Sequence, residues 1–328
     1  MKRRTLLVSL AAGALAPLAS IAQAPGKIWR IGFLSQRHVD FVDADYYYGP
    51  FTQGLRELGY VAGKNLVIEW RSAEGKPERL PDLAAELVGL KVDVLVTATT
   101  TASLAAQKAT VTIPIVMANM GDPVGNDLVK SLAHPGGNST GVSNMYVELG
   151  PKLLELLRET VPKVSRVAAL VNPSNGTSNL WLKNVQSAAQ KIGLKLLPIE
   201  AGTPQEITNG FAAMTRQNAG ALIVARDTFL QQQKDQIAGL AAKHRLPSIG
   251  GYYEYVEAGG LMSYGNNVRE TYRRAATYVD KIIKGAKAGE LPVEQPMRFD
   301  MAVNMKTAKA LGIKVPQSIL IQATKVIE

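Results

Sequence analysis

The chain alternates apolar runs of strand length with stretches whose apolar residues recur at helical spacing. Trp29–Leu34 predicts a first strand and ends in polar Ser35-Gln36. Pro50–Leu58 predicts a helix stopped by Gly59, and Asn65–Trp70 a second strand. Pro81–Leu90 predicts a helix and Val92–Ala98 a buried strand, after which Thr99-Thr100-Thr101 opens another helix. Ile113–Met117 predicts a fourth strand. The order then recurs. Helices are predicted over Pro151–Thr160, Leu180–Ile192, Gln205–Gln217 and Phe229–His244. Strands are predicted over Arg166–Val171, Lys195–Ile199, Ala221–Ala225 and Leu246–Ile249. In both halves the fourth strand carries proline at its second position, Pro114 and Pro247. The fold class that follows is α/β, with two doubly wound parallel-sheet lobes in tandem.

The connections add a hinge. His134–Gly141 is a run of turn formers between the halves. A second Gly-rich crossing runs from Gly259 to Gly265. Beyond it lie a helix over Arg269–Lys284, a strand-like run at Met297–Val303, a helix from near Met305 and a segment after Pro316. These tail elements can return to either lobe, so several crossings are expected.

The first residues read as an export address. Lys2-Arg3-Arg4 precedes an apolar run from Leu6 to Ile21, and Ala22-Gln23-Ala24 is a small-residue cleavage pattern. The run is short for a membrane span and contains Gly13 and Pro17. Residues 1–24 are expected to be a signal peptide and the mature protein periplasmic. With no cysteine in the chain, lipid anchoring is excluded, as are disulfides, thiolate metal sites and cysteine nucleophiles. Three histidines lie far apart, so no metal and no cofactor is expected. The net charge of +10 suggests an anionic partner, but three of those charges sit in the export signal. Nucleic acid is not expected as a partner.

In open parallel sheets, ligands bind beyond the carboxyl ends of the strands. Those ends are polar here. Candidate ligand residues are Ser35 and Gln36 after the first strand, and Thr99, Thr100 and Thr101 at a helix start suited to an anion. Asp122, Asn144, Asn172 and Ser174 follow at later loops. Arg226 suits a carboxylate, Asp227 an ammonium group, and Thr228 closes the same loop. Tyr46 and Tyr252, each in a tyrosine cluster, suit an apolar or aromatic part. Singly, such residues are usually caps and turns; their recurrence in both halves points to a cleft. One enzyme motif occurs: Gly137–Gly141 matches G-x-S-x-G around Ser139, but lacks the preceding strand and following helix of a nucleophile elbow.

Longer stretches carry a family resemblance. They are Ile113–Val124, His134–Ser143 (HPGGNSTGVS), Lys152–Pro162 (KLLELLRETVP), Ala258–Gly265 (AGGLMSYG), Tyr272–Glu290 and Asn304–Pro316 (NMKTAKALGIKVP). With them the chain resembles substrate-binding proteins of ABC transporters, in the family that includes tryptophan and tyrosine uptake binding proteins. The resemblance implies a type I periplasmic-binding fold with three crossovers and closure on the ligand. It implies lobe 1 over residues 27–142 plus 265–292, and lobe 2 over 143–264 plus 293–328. It also implies a carrier that hands a small molecule to an inner-membrane ABC permease. The anion-suited helix start and the clustered tyrosines favour an amino acid or an aromatic or apolar carboxylate as that molecule, and a monomer is expected. A ligand-presenting sensor and an exported hydrolase using Ser139 are the alternatives.

Overall fold

The computed structural model describes residues 27–37 and 41–328. The expected signal peptide lies outside the described residues. Five parallel strands form the first sheet: β1 (Trp29–Ser35), β2 (Leu66–Ser72), β3 (Val94–Thr97), β4 (Ile115–Met120) and β5 (Ser139–Ser143). Their order is β2-β1-β3-β4-β5. The second sheet holds β6 (Arg166–Val171), β7 (Lys195–Glu200), β8 (Ala221–Val224), β9 (Ser248–Gly250), β10 (Met262–Asn266), β11 (Phe299–Asn304) and β12 (Lys325–Ile327). Its order is β12-β11-β10-β9-β8-β6-β7. Read from β7 to β10, the first five strands of this sheet repeat the order of the first sheet, the outcome expected from the recurring sequence pattern. Among the described strands, only the β10–β11 pair is antiparallel.

The central strands are continuous apolar runs because helices cover both sheet faces. Val94–Thr97 and Ala221–Val224 are buried throughout. The chain crosses between the sheets three times. After β5 it enters the helix Tyr146–Thr160, which packs with the second-sheet core. After β10 it returns as the helix Val268–Ile283, whose Tyr272, Ala275, Ala276 and Val279 join Phe33 and Phe51 in the first-sheet core. It leaves again beside Glu294, which is bridged to Val142.

Two helices start earlier than the sequence predicts. The helix predicted from Pro50 begins at Phe41, and that predicted from Pro151 begins at Tyr146. A proline resembles a helix start because its missing N–H costs nothing in the first turn. Mid-helix it orphans the carbonyl four residues back. Here both orphans are taken: Arg269 Nη1 donates to the Tyr46 carbonyl at 3.1 Å, and Asn184 Nδ2 to the Val147 carbonyl at 3.3 Å. The helix predicted over Phe229–His244 is two, Thr228–Gln232 and Lys234–Lys243, interrupted at Gln233.

Candidate functional site

The carboxyl ends of β1, β3, β4 and β5 face those of β6, β8 and the β10 crossing across one cavity of ≈ 60 Å³. Thr99 adopts extended backbone (φ −145°) and caps the helix Thr100–Ala109 by accepting from the Ala102 N–H at 3.2 Å. The first N–H groups of that helix have no intrahelical acceptor, so the Thr99–Thr101 turn presents donors to the cavity. The Thr100 hydroxyl accepts from the Gly121 N–H at 3.2 Å, tying the β3 and β4 ends together. The Thr101 hydroxyl donates to Gln36 Oε1 at 3.0 Å. Ser35 Oγ accepts the Arg37 N–H at 3.1 Å.

The facing wall is built around Asp227. It caps the helix Thr228–Gln232 through the Leu230 N–H at 3.1 Å. Asn172 and Asn175 each donate a side-chain amide to its carboxylate at 3.0 Å. Arg226 bonds Asn266 Oδ1 and reaches the Gly251 carbonyl at 3.5 Å. Among the described residues neither Arg226 nor Arg37 forms an ion pair. Burial lowers the Arg226 pKa, with Glu254 opposing.

A relay crosses the cleft repeatedly. Arg37 Nη2 donates to Gln231 Oε1, Gln231 Nε2 donates to the Tyr47 hydroxyl at 2.9 Å, and that hydroxyl donates to Glu254 Oε1 at 2.7 Å. Burial first, with Glu254 adding and Arg37 opposing, holds the Tyr47 phenol well above its ordinary value. It therefore stays protonated and can serve as this donor. Tyr146 stacks on Trp181 with centroids 5.6 Å apart. Its buried hydroxyl lies beside the Arg226 amide yet makes no hydrogen bond of acceptable geometry.

Ser35, Gln36, Thr99, Thr100, Thr101, Asn144, Arg226, Asp227 and Thr228 all line this cavity. The other sequence candidates sit elsewhere. Asp122, at φ 41°, accepts the Gly125 N–H at 2.8 Å and holds its own turn. Ser174 is exposed, and Asn172 stands behind Asp227 as its donor. Tyr46 and Tyr252 line an adjoining groove of ≈ 300 Å³ beside Glu254, which shares Arg226 and Val268 with the cavity. Tyr47, a member of the first tyrosine cluster, lines the cavity, and so do Arg37, Tyr146, Gln231 and Tyr272, which the sequence does not single out. Arg37 directly follows Gln36, and Gln231 lies one helical turn past Asp227, so adjacency could have found both. Ser139 begins β5, buried and with its hydroxyl unpaired, rather than topping a strand-to-helix elbow.

A model of the ABC transporter substrate binding protein family matches residues 40–327. The chain belongs to that family. Its periplasmic-binding fold and two lobes are shared with solved relatives. One is the Streptococcus pneumonia ABC domain in complex with L-Trp, at TM-score 0.85 and 28% identity, covering 92% of this chain and 100% of that one. A conserved domain protein from Vibrio cholerae gives TM-score 0.84 and 28% identity over the same shares. The ligand-free, open structure of a Clostridium difficile substrate binding protein gives TM-score 0.68 at 26% identity, covering 92% and 99%. At similar identity, this substrate-binding protein is thus closer to the liganded relative than to the open one. A curated relative, the tyrosine-binding protein of Clostridioides difficile (strain R20291), is 26% identical over 264 residues, 80% of this chain and 76% of that protein.

Proposed function

We propose that this substrate-binding protein captures a small carboxylate-bearing solute, an amino acid or an aromatic or apolar carboxylate, by closure of its lobes. It then delivers the solute to an inner-membrane ABC permease. The observation that carries this reading is the pair Arg37 and Arg226, which line one interlobe cavity without an ion pair of their own. Arginine forks match carboxylate geometry, and the helix start at Thr99–Thr101 adds donors beside them. The lobes are divided as residues 27–142 with 265–292, and 143–264 with 293–328. The working protein is a periplasmic monomer freed of residues 1–24, and it performs no chemistry on the solute.

A thermal-shift screen over amino acids and aromatic acids tests the ligand class. A ligand at 100 times its Kd adds about 2.7 kcal/mol of stability. A shift with a carboxylate supports the reading, and no shift with any member overturns it.

A further inference from the structure

The side-chain oxygens lining the inner cavity that can only accept belong to Gln36, Asn119, Asn144, Asn175, Asp227 and Gln231. Each is already engaged by the protein. Gln36 takes the Thr101 hydroxyl, Asn119 the Asn266 amide at 3.4 Å, and Asn144 the Tyr146 N–H at 2.9 Å. Asn175 takes Thr177 through both N–H and hydroxyl, and Gln231 takes Arg37. Both Asp227 oxygens are used, one of them twice. Wholly unused groups are of the other kind. The side-chain amides of Gln36 and Asn119 make no hydrogen bond among the described residues, and both guanidiniums keep unused N–H groups. Glu254, the other carboxylate nearby, lines the outer groove and takes the Tyr47 hydroxyl.

Such a wall suits negative charge. An ammonium group brings three donors and no acceptor, so it meets oxygens that each already accept a protein hydrogen bond, and two like charges. A carboxylate finds the reverse. The volume points the same way: ≈ 60 Å³ is well under the roughly 150 Å³ that holds a benzene ring. We propose that the inner cavity selects a short organic anion without an ammonium group, its oxygens shared between Arg37 and Arg226. This rests on the carboxylate-capture reading and narrows it.

The test is calorimetric titration of the purified protein with matched pairs: L-lactate against L-alanine, and L-malate against L-aspartate. Members of each pair differ in a hydroxyl or an ammonium at the same carbon. In at least one pair the hydroxy acid is expected to bind at least tenfold more tightly. Arg37→Gln, at a half-buried loop end, is expected to weaken the hydroxy acid at least tenfold, with circular dichroism showing the fold retained. An amino acid that equals or beats its partner in both pairs, or L-tryptophan that beats every hydroxy acid, overturns the anion proposal and leaves carboxylate capture standing. Unchanged affinity in Arg37→Gln overturns it too. Binding by no carboxylate at all overturns both.

Discussion

The Arg269 guanidinium donates at 3.1 Å to the carbonyl of Tyr46, the backbone group that Pro50 leaves without a helical partner. The same guanidinium sits 5.1 Å from the Tyr46 ring centroid. It therefore ties the helix Phe41–Glu57 to Val268–Ile283, the pair that forms one face of the first lobe. Arg269→Ala is expected to destabilise the protein by about 1.5 kcal/mol, the low end of the range for a hydrogen bond to a charged group, because the bond is exposed. In a Pro50→Ala background, residue 50 supplies its own N–H to that carbonyl, and the loss should shrink. Urea denaturation of the four proteins as a double-mutant cycle measures the coupling.

Gly141 and Ser139 share a motif but not a role. Gly141 has φ +133°, and a Cβ there would lie 2.2 Å from the Met117 carbonyl oxygen. The β4–β5 register shifts between Met117 and Met120. Gly141→Ala is expected to cost more than about 3 kcal/mol through backbone strain and clash. Ser139→Ala removes a buried, unpaired hydroxyl and should be neutral or slightly stabilising. Thermal midpoints of the two variants check both signs.

Strand positions were legible because a buried parallel strand is a continuous apolar run, as in Arg166–Val171, where reading and structure coincide. The starts at Pro50 and Pro151 were misread because the donors that compensate them, Arg269 and Asn184, are remote in sequence. The site divides along the same line. Polar strand ends such as Ser35, Thr99 and Arg226 announce themselves locally. Tyr47 and Tyr272 reach the cavity from helices, and Tyr47 meets Glu254 only across the cleft. No local pattern encodes that meeting.

Glu294 gives the fold an acid-side sensitivity. Its carboxylate accepts two bonds from Arg274, at 2.5 and 2.6 Å, while its backbone bonds Ser143 and Gly141 at 2.8 and 2.9 Å. The Arg274 hydrogen bonds lower the Glu294 pKa from the ordinary 4.5, burial opposing. A depressed carboxylate pKa means that the native state binds the proton less readily than the unfolded chain. The stabilisation is complete above the ordinary value and is lost as pH falls through the lowered one. Wild type should lose stability relative to Glu294→Gln between about pH 5 and 3. Parallel denaturation curves across that window check the slope, and identical slopes would remove Glu294 from the account.

Tyr47→Phe deletes one hydroxyl that serves Gln231 and Glu254 at once. Ligand-free protein carrying it should shift toward the open arrangement. Small-angle scattering should then show a larger radius of gyration than wild type, and saturating ligand should erase the difference.

The relay Arg37–Gln231–Tyr47–Glu254 has a cost for traffic at the membrane. Because these bonds run between the protein's own side chains, they add to closure independently of a solute, and some carriers are expected to shut while empty. Apparent affinity gains from this, since it scales with the fraction already in the binding-competent shape. Each vacant, shut carrier also competes for the same permease as a loaded one. The strength of three side-chain contacts thus sets a trade between scavenging at low solute concentration and idle turnover of the transporter.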